Sequence, residues 1–130
     1  LFKDTENVDF KFEKYKGDLF VMADKDQLNR VFNNLIKNSI QSFTRSEGNL
    51  IEINVVKKES SILIEVIDNG SGIRTSERDK IFTPNFTTKT SGMGLGLAMV
   101  KNIVESSNGR IWFESEEGRG TKFIISYPST

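Results

Sequence analysis

The sequence predicts an α/β fold: a two-layer sandwich in which a mixed, mostly antiparallel sheet is covered on one face by helices. Three observations carry this expectation. Two segments with apolar residues at helical spacing alternate with short apolar runs of strand length. The strand-like runs come in neighbouring pairs joined by short links, which favours antiparallel pairing. A chain of 130 residues with 36% hydrophobic and 28% charged content is the size and composition of one ordinary soluble domain with its own core.

The elements follow in order. Val8 to Glu13 alternates apolar and polar residues, as a half-buried strand does. Leu19 to Met22 is a short apolar run read as a second strand. Asp24 is placed to cap a helix, with Gln27 three residues on to complete a capping box. That helix runs to about Phe43, with Leu28, Val31, Phe32, Leu35, Ile36, Ile40 and Phe43 as its core stripe. Two strands follow, Ile51 to Val56 and Ile62 to Ile67; the second is apolar almost throughout and is expected to be central. Gly70 to Met93 reads mostly as loop, with one short helix near Glu77 to Ile81, and a loop of that length is usually functional. A second helix is expected from Leu95 to Ser106, stopping near Asn108 and Gly109. Strands at Arg110 to Ser115 and Thr121 to Tyr127 flank a final glycine-rich turn. The expected order is β-β-α-β-β-loop-α-β-β.

Composition excludes several functions. Lys plus Arg equals Asp plus Glu at 18 each, so nothing suggests a nucleic-acid binder with a cationic face. With no cysteine there are no disulfides and no thiolate metal sites. With no histidine the usual general base and metal ligand are missing. The apolar runs are too short to span a bilayer. No signal peptide precedes the fold and the chain opens on Leu1, so it is expected to be a piece of something longer.

Four segments carry chemistry. On the first helix, Asn34, Asn38 and Gln41 fall along one flank of the apolar stripe, and their amide oxygens suit a hard cation such as Mg²⁺. Alone they read more readily as a solvated helix edge, although asparagine is a poor helix former. Asp68 closes a buried strand and precedes Asn69-Gly70-Ser71-Gly72-Ile73. A plain turn would explain Asp-Asn-Gly, but the second glycine allows close backbone approach to a ligand. A carboxylate there can accept from the amine of adenine and reject the carbonyl of guanine. Gly92-Met93-Gly94-Leu95-Gly96-Leu97 presents bare amides and a positive helix end, which suits phosphate. It is neither a Walker loop nor a dinucleotide fingerprint, and Lys89 just upstream could reach a terminal phosphate, although by itself it reads more readily as an exposed surface lysine. Gly118 to Phe123 reads as a hairpin turn entering a strand, structural as readily as functional.

The order of these motifs resembles the catalytic, ATP-binding domain of sensor histidine kinases, a branch of the GHKL (Bergerat-fold) superfamily. Asn34 to Ile40 is similar to the N box, Asp68 to Ile73 to the G1 box, Ile81 to Phe86 to the F box and Gly92 to Leu97 to the G2 box. The resemblance implies that residues 1–130 are one such domain, without the dimerisation domain that carries the acceptor histidine. It implies ATP and Mg²⁺ as ligands, Asn38 on the metal and Asn34 supporting metal or phosphates. Asp68 would bind the adenine amine, Gly70, Gly72 and Ile73 would line the base pocket, and Thr121 would support the carboxylate or a water beside it. Gly92, Gly94, Leu95, Gly96 and Leu97 would lie along the triphosphate. Residues 74–91 would form a lid that grips the γ-phosphate through Lys89. The implied reaction is donation of the γ-phosphoryl group to a histidine on a separate domain, with a response regulator downstream. The implied setting is cytoplasmic, with no membrane contact by this domain even if the parent protein is anchored.

Three positions depart from the pattern or divide the superfamily. ATP-hydrolysing relatives and serine kinases carry a glutamate base four residues before the metal-binding asparagine; here that position is Asn34, which cannot take a proton. Histidine kinases often carry a lysine and then an aromatic residue where this chain has Gln41 and Ser42. Two alternatives remain at this point: a stand-alone GHKL ATPase or serine kinase, and a non-catalytic nucleotide-binding interaction module.

Overall fold

A computed structural model describes residues 8–13, 20–84 and 96–129. Its elements are β1 (Val8–Glu13), α1 (Lys25–Ser42), β2 (Asn49–Lys58), β3 (Ser61–Asp68), a single 3-10 turn (Thr75–Glu77), α2 (Gly96–Ser106), β4 (Arg110–Glu116) and β5 (Gly120–Pro128). The strands form one sheet in the order β1-β2-β3-β5-β4. All neighbours are antiparallel except β1 and β2, which pair in parallel. The expected mixed sheet with helices on one face is therefore the observed architecture.

Why the chain folds this way is clearest in β3. Its side chains alternate between faces, so Ile62, Ile64 and Val66 are buried together, and Asp68 at the same parity is buried with them. Leu63, Glu65 and Ile67 lie on the opposite, half-buried face. There Lys122 and Glu65 form an ion pair at 2.9 Å, and Glu65 pushes the Lys122 ammonium up from its ordinary pKa. The helix-side core joins Val31 and Leu35 of α1 with Val100 and Val104 of α2 and with Ile51, Phe123, Ile125 and Tyr127 of the sheet. Phe82, Phe113 and Phe123 stack in tilted and edge-on pairs with centroids 6.1–6.4 Å apart. They tie the segment after the 3-10 turn to β4 and β5.

Three expectations are corrected. No strand forms over the described part of residues 19–22. Phe20 and Met22 are exposed and only Val21 packs on the core, while β1 takes β2 as its partner across α1. β1 itself is an edge strand, with Phe10 49% and Phe12 62% exposed. Its alternation is therefore real, but its burial is slight. The short helix near residues 77–81 is instead the 3-10 turn at Thr75–Glu77 followed by turns to residue 84.

At the helix ends, Asp24 Oδ1 accepts from the amides of Asp26 and Gln27 at 2.9 and 3.0 Å, as a cap should. Gln27 Oε1 turns away to Arg30, so the reciprocal half of the box is used elsewhere. α2 ends in a reversal in which Asn108 (φ 63°) takes the left-handed position and the Gly109 amide reaches Val104 O at 2.9 Å.

Candidate functional site

The site is built where β3 meets β5. Strand parity turns Asp68 toward α1, and the pairing places it directly across from Thr121. Its Oδ1 accepts from the Gly70 amide at 2.9 Å, the Thr121 amide at 3.3 Å and the Ser42 hydroxyl at 3.5 Å. The Gly70 contact is an Asx turn, which bends the chain away from the strand. Oδ2 accepts none of the three. Burial raises the pKa of this carboxyl above its ordinary value; the amides of Gly70 and Thr121 and the hydroxyls of Ser39 and Ser42 oppose that rise. Ser39 Oγ is itself buried and makes no hydrogen bond of ordinary length.

The turn after Asp68 is fixed on both sides. Asn69 Oδ1 accepts from Leu50 N at 2.8 Å and its Nδ2 donates to Gly48 O at 2.8 Å, which locks the turn to the start of β2. Ser71 N donates to Ser42 O at 2.9 Å, and a Cβ on Gly70 would lie 2.0 Å from Ser42 Oγ. Gly72 has φ 76°, and a Cβ there would lie 2.4 Å from Glu116 O. The close approaches these two glycines allow are thus to α1 and β4, contacts within the chain itself.

Ser115 is the hub that sequence reading missed. Its hydroxyl accepts from Ile73 N at 2.8 Å, donates to Gly120 O at 3.0 Å and lies 3.0 Å from Thr121 Oγ1. Its carbonyl accepts from the Arg78 guanidinium. The signal was available: a three-residue turn at Glu117 to Arg119 sets Ser115 opposite Thr121. Ser39 had a signal too, as a serine inside the apolar stripe of α1. Replacing Ser115 by alanine strands the Ile73 amide and is expected to cost about 1–3 kcal/mol of stability by thermal or denaturant unfolding.

The second half of the site lies on α1. Asn34 and Asn38 are half-buried, and Gln41 is exposed. Asn34 Nδ2 donates to Arg30 O at 2.8 Å, which draws that amide back along its own helix. The same flank faces α2, because Arg30 one turn earlier reaches Met99 Sδ at 3.0 Å. Gly96 is the first residue of α2, and Leu97 packs against the core. The structure thus joins Asp68, Gly70, Ile73 and Thr121, with Ser39, Ser42 and Ser115, in one connected cluster, and sets the asparagine flank beside α2. Lys89, Gly92, Gly94, Leu95, residues 85–91 of the expected lid and the end of the F box lie outside the described residues.

Comparison with known proteins bears on this arrangement. Residues 23–130 match the family described as histidine kinase-, DNA gyrase B-, and HSP90-like ATPases. The sensor histidine kinase ZraS of Escherichia coli (strain K12) is 42% identical over 108 residues, which cover 83% of this chain and 23% of that protein. The chain thus spans about a quarter of that relative's length. The nucleotide-free catalytic domain of histidine kinase ThkA superposes with a TM-score of 0.82 at 38% identity, over 95% of this chain and 80% of that one. ThkA in complex with the response regulator TrrA superposes with a TM-score of 0.76 at 33% identity, over 95% of this chain and 35% of that one. Match, fold and the conjunction of Asp68 with the asparagine flank agree: the chain belongs to the histidine kinase-, DNA gyrase B- and HSP90-like ATPase family, and its relatives there are sensor histidine kinases.

Proposed function

We propose that this chain binds ATP with Mg²⁺ and donates the γ-phosphoryl group to a histidine on a separate dimerisation domain, so that residues 1–130 act as one catalytic domain of a sensor kinase. The observation that carries the reading is Asp68. A buried carboxylate, held at Oδ1 by two amides and a hydroxyl, keeps its other oxygen for an outside donor such as the adenine amine. The orphaned Ser39 hydroxyl beside it supplies a second polar atom for the base or a water.

The remaining roles follow from chemistry. Gly70, Gly72 and Ile73 line the base, and Thr121 holds the carboxylate by its amide. Asn38 offers an amide oxygen to the metal. Among the described residues no group of three or more acidic, His or Cys side chains could hold a cation. The donors present therefore fit a Mg²⁺ carried mostly by phosphate and water oxygens. When bound, the ion would neutralise phosphate charge. Gly92, Gly94, Leu95, Gly96 and Leu97 line the triphosphate, where the first amides of α2 are free of helical partners. Lys89 supplies charge to the γ-phosphate. Asn34 cannot remove a proton and supports metal or phosphates, which suits transfer to a neutral imidazole, already a nucleophile. The ThkA complex supports a response regulator as the downstream partner. Among the described residues no helix is long and apolar enough to cross a membrane.

Titration with a non-hydrolysable ATP analogue, with and without Mg²⁺ and beside GTP, tests binding. Adenine-selective, Mg²⁺-enhanced binding is expected, and Asn38→Ala should abolish the Mg²⁺ enhancement. Adding the histidine-bearing domain in trans should then give acid-labile phosphate on that domain. Steady ATP hydrolysis by the chain alone, lost on changing Asn34, would favour a stand-alone ATPase instead.

A further inference from the structure

Arg30 lies outside every role above. On a helix of about 100° per residue it shares a flank about 80° wide with Asn34 and Asn38, one and two turns before them. Its side chain crosses to α2, where Nη2 lies 3.0 Å from the sulfur of Met99, the fourth residue of that helix. Its other contact is Nη1 to Gln27 Oε1 at 3.4 Å. Both partners are neutral and one is a weak acceptor. Among the described residues no carboxylate lies within ion-pair distance of Arg30, and its side chain is exposed. A guanidinium is always charged and has five donors in a fixed fork. Here that fork stands between the asparagine flank and the first turn of α2, and among the described residues most of its hydrogen-bonding capacity is unused.

We propose that Arg30 is a catalytic residue that contacts the γ-phosphoryl group during its transfer and neutralises charge on its equatorial oxygens. The inference rests on the ATP-dependent phosphotransfer proposed above. With base and metal near Asp68 and Asn38, the α1 flank continues through Asn34 to Arg30, so a phosphate chain laid along that flank would lead toward the guanidinium. In the step itself, an imidazole nitrogen forms a bond to γ-phosphorus. The bond from γ-phosphorus to the β,γ-bridging oxygen breaks, its electron pair stays on ADP, and the proton of the other ring nitrogen passes to water. No side chain need act as base for the attack. The transition state carries charge on the equatorial oxygens of the migrating group, and beside the charge of Lys89 and the metal an arginine adds a bidentate contact that a lysine does not.

Arg30→Gln and Arg30→Lys are compared with the wild-type chain in three measurements: affinity for a non-hydrolysable ATP analogue with Mg²⁺, affinity for ADP with Mg²⁺ and aluminium fluoride as a mimic of the migrating group, and transfer to the histidine-bearing domain. Arg30→Gln should bind the ATP analogue within about threefold of wild type, bind the aluminium fluoride complex at least about tenfold more weakly, and transfer at least about thirtyfold more slowly. Arg30→Lys should fall between the two. Wild-type transfer by Arg30→Gln overturns the assignment, as does equal weakening of the analogue and the mimic, which would mark a ground-state or structural role. A wild-type chain that transfers no phosphate removes the proposed function itself, a result distinguishable from either.

Discussion

Asp68→Asn is expected to weaken adenine-nucleotide binding at least about tenfold and yet to leave the ligand-free protein more thermally stable near neutral pH, since a charge-assisted hydrogen bond is worth about 1.5–3 kcal/mol. The loss of affinity follows because the new amide presents donor hydrogens where the adenine amine also donates. The gain in stability follows from linkage. Burial raises the native carboxyl pKa above the ordinary 3.8, so the native state holds this proton more tightly than the unfolded chain does. Below 3.8 the carboxyl is protonated in both states and contributes no penalty. Stability from this group then falls as the pH rises through the interval up to the native value, and above it the buried charge is carried in full. Asparagine keeps an oxygen for the Gly70 and Thr121 amides, and its new NH₂ can donate to the orphaned Ser39 hydroxyl. Thermal unfolding across pH beside calorimetry checks both signs. An asparagine variant less stable than wild type at neutral pH would show that Asp68 is a structural carboxylate first.

Gly120→Ala should be among the most damaging single methyl additions at the described glycines. Its backbone sits at φ 134°, and a Cβ would lie 2.0 Å from Asp68 O and 3.0 Å from Asn69 Cα. All the obstructing atoms are backbone and cannot turn aside. Overpacking together with the strained conformation should cost about 3 kcal/mol or more. The nearby Gly118 is the control. It has φ 80° but nothing within 4 Å of a Cβ, so Gly118→Ala should cost only about 1–2 kcal/mol, the left-handed penalty itself. Equal unfolding midpoints for the two variants would show that β5 can slide away from Asp68. The clash also pushes on the carbonyl of the residue whose side chain forms the site, so any folded Gly120→Ala protein should bind nucleotide weakly.

Much of this was legible in the chain. Periodicity marked both helices, because amphipathic stripes of 11 and 18 residues leave little ambiguity. A short link marked the β2–β3 pair, a glycine-rich turn marked the β4–β5 hairpin, and the apolar run of β3 marked the centre of the sheet. Asp68 stood out because a carboxylate ends that run. What could not be read was pairing at a distance. Residues 19–22 have the composition of a strand, but whether they find a partner depends on β2 lying beside β1, and α1 separates those two in sequence. Ser39, Ser42 and Ser115 escaped for a related reason. Each is an unremarkable serine until the fold brings α1, the Gly70 turn and the β4–β5 hairpin together around Asp68. The glycines of the Asp68 turn were legible as glycines, but the neighbours they make room for belong to α1 and β4.

The position of Asp68 opposite Thr121 has a further consequence. The β3–β5 pairing joins the part of the chain before α2 to the part after it, so the carboxylate and the amide that steadies it lie 53 residues apart, on either side of α2 in the sequence. The polar cluster around Asp68 therefore exists only while both parts are docked. A ligand held there acts as a reversible cross-link between the two halves, and its binding energy opposes global unfolding in full. At a hundredfold excess over its dissociation constant it would add about 2.7 kcal/mol to the whole domain's stability. The melting temperature thus becomes a direct gauge of occupancy.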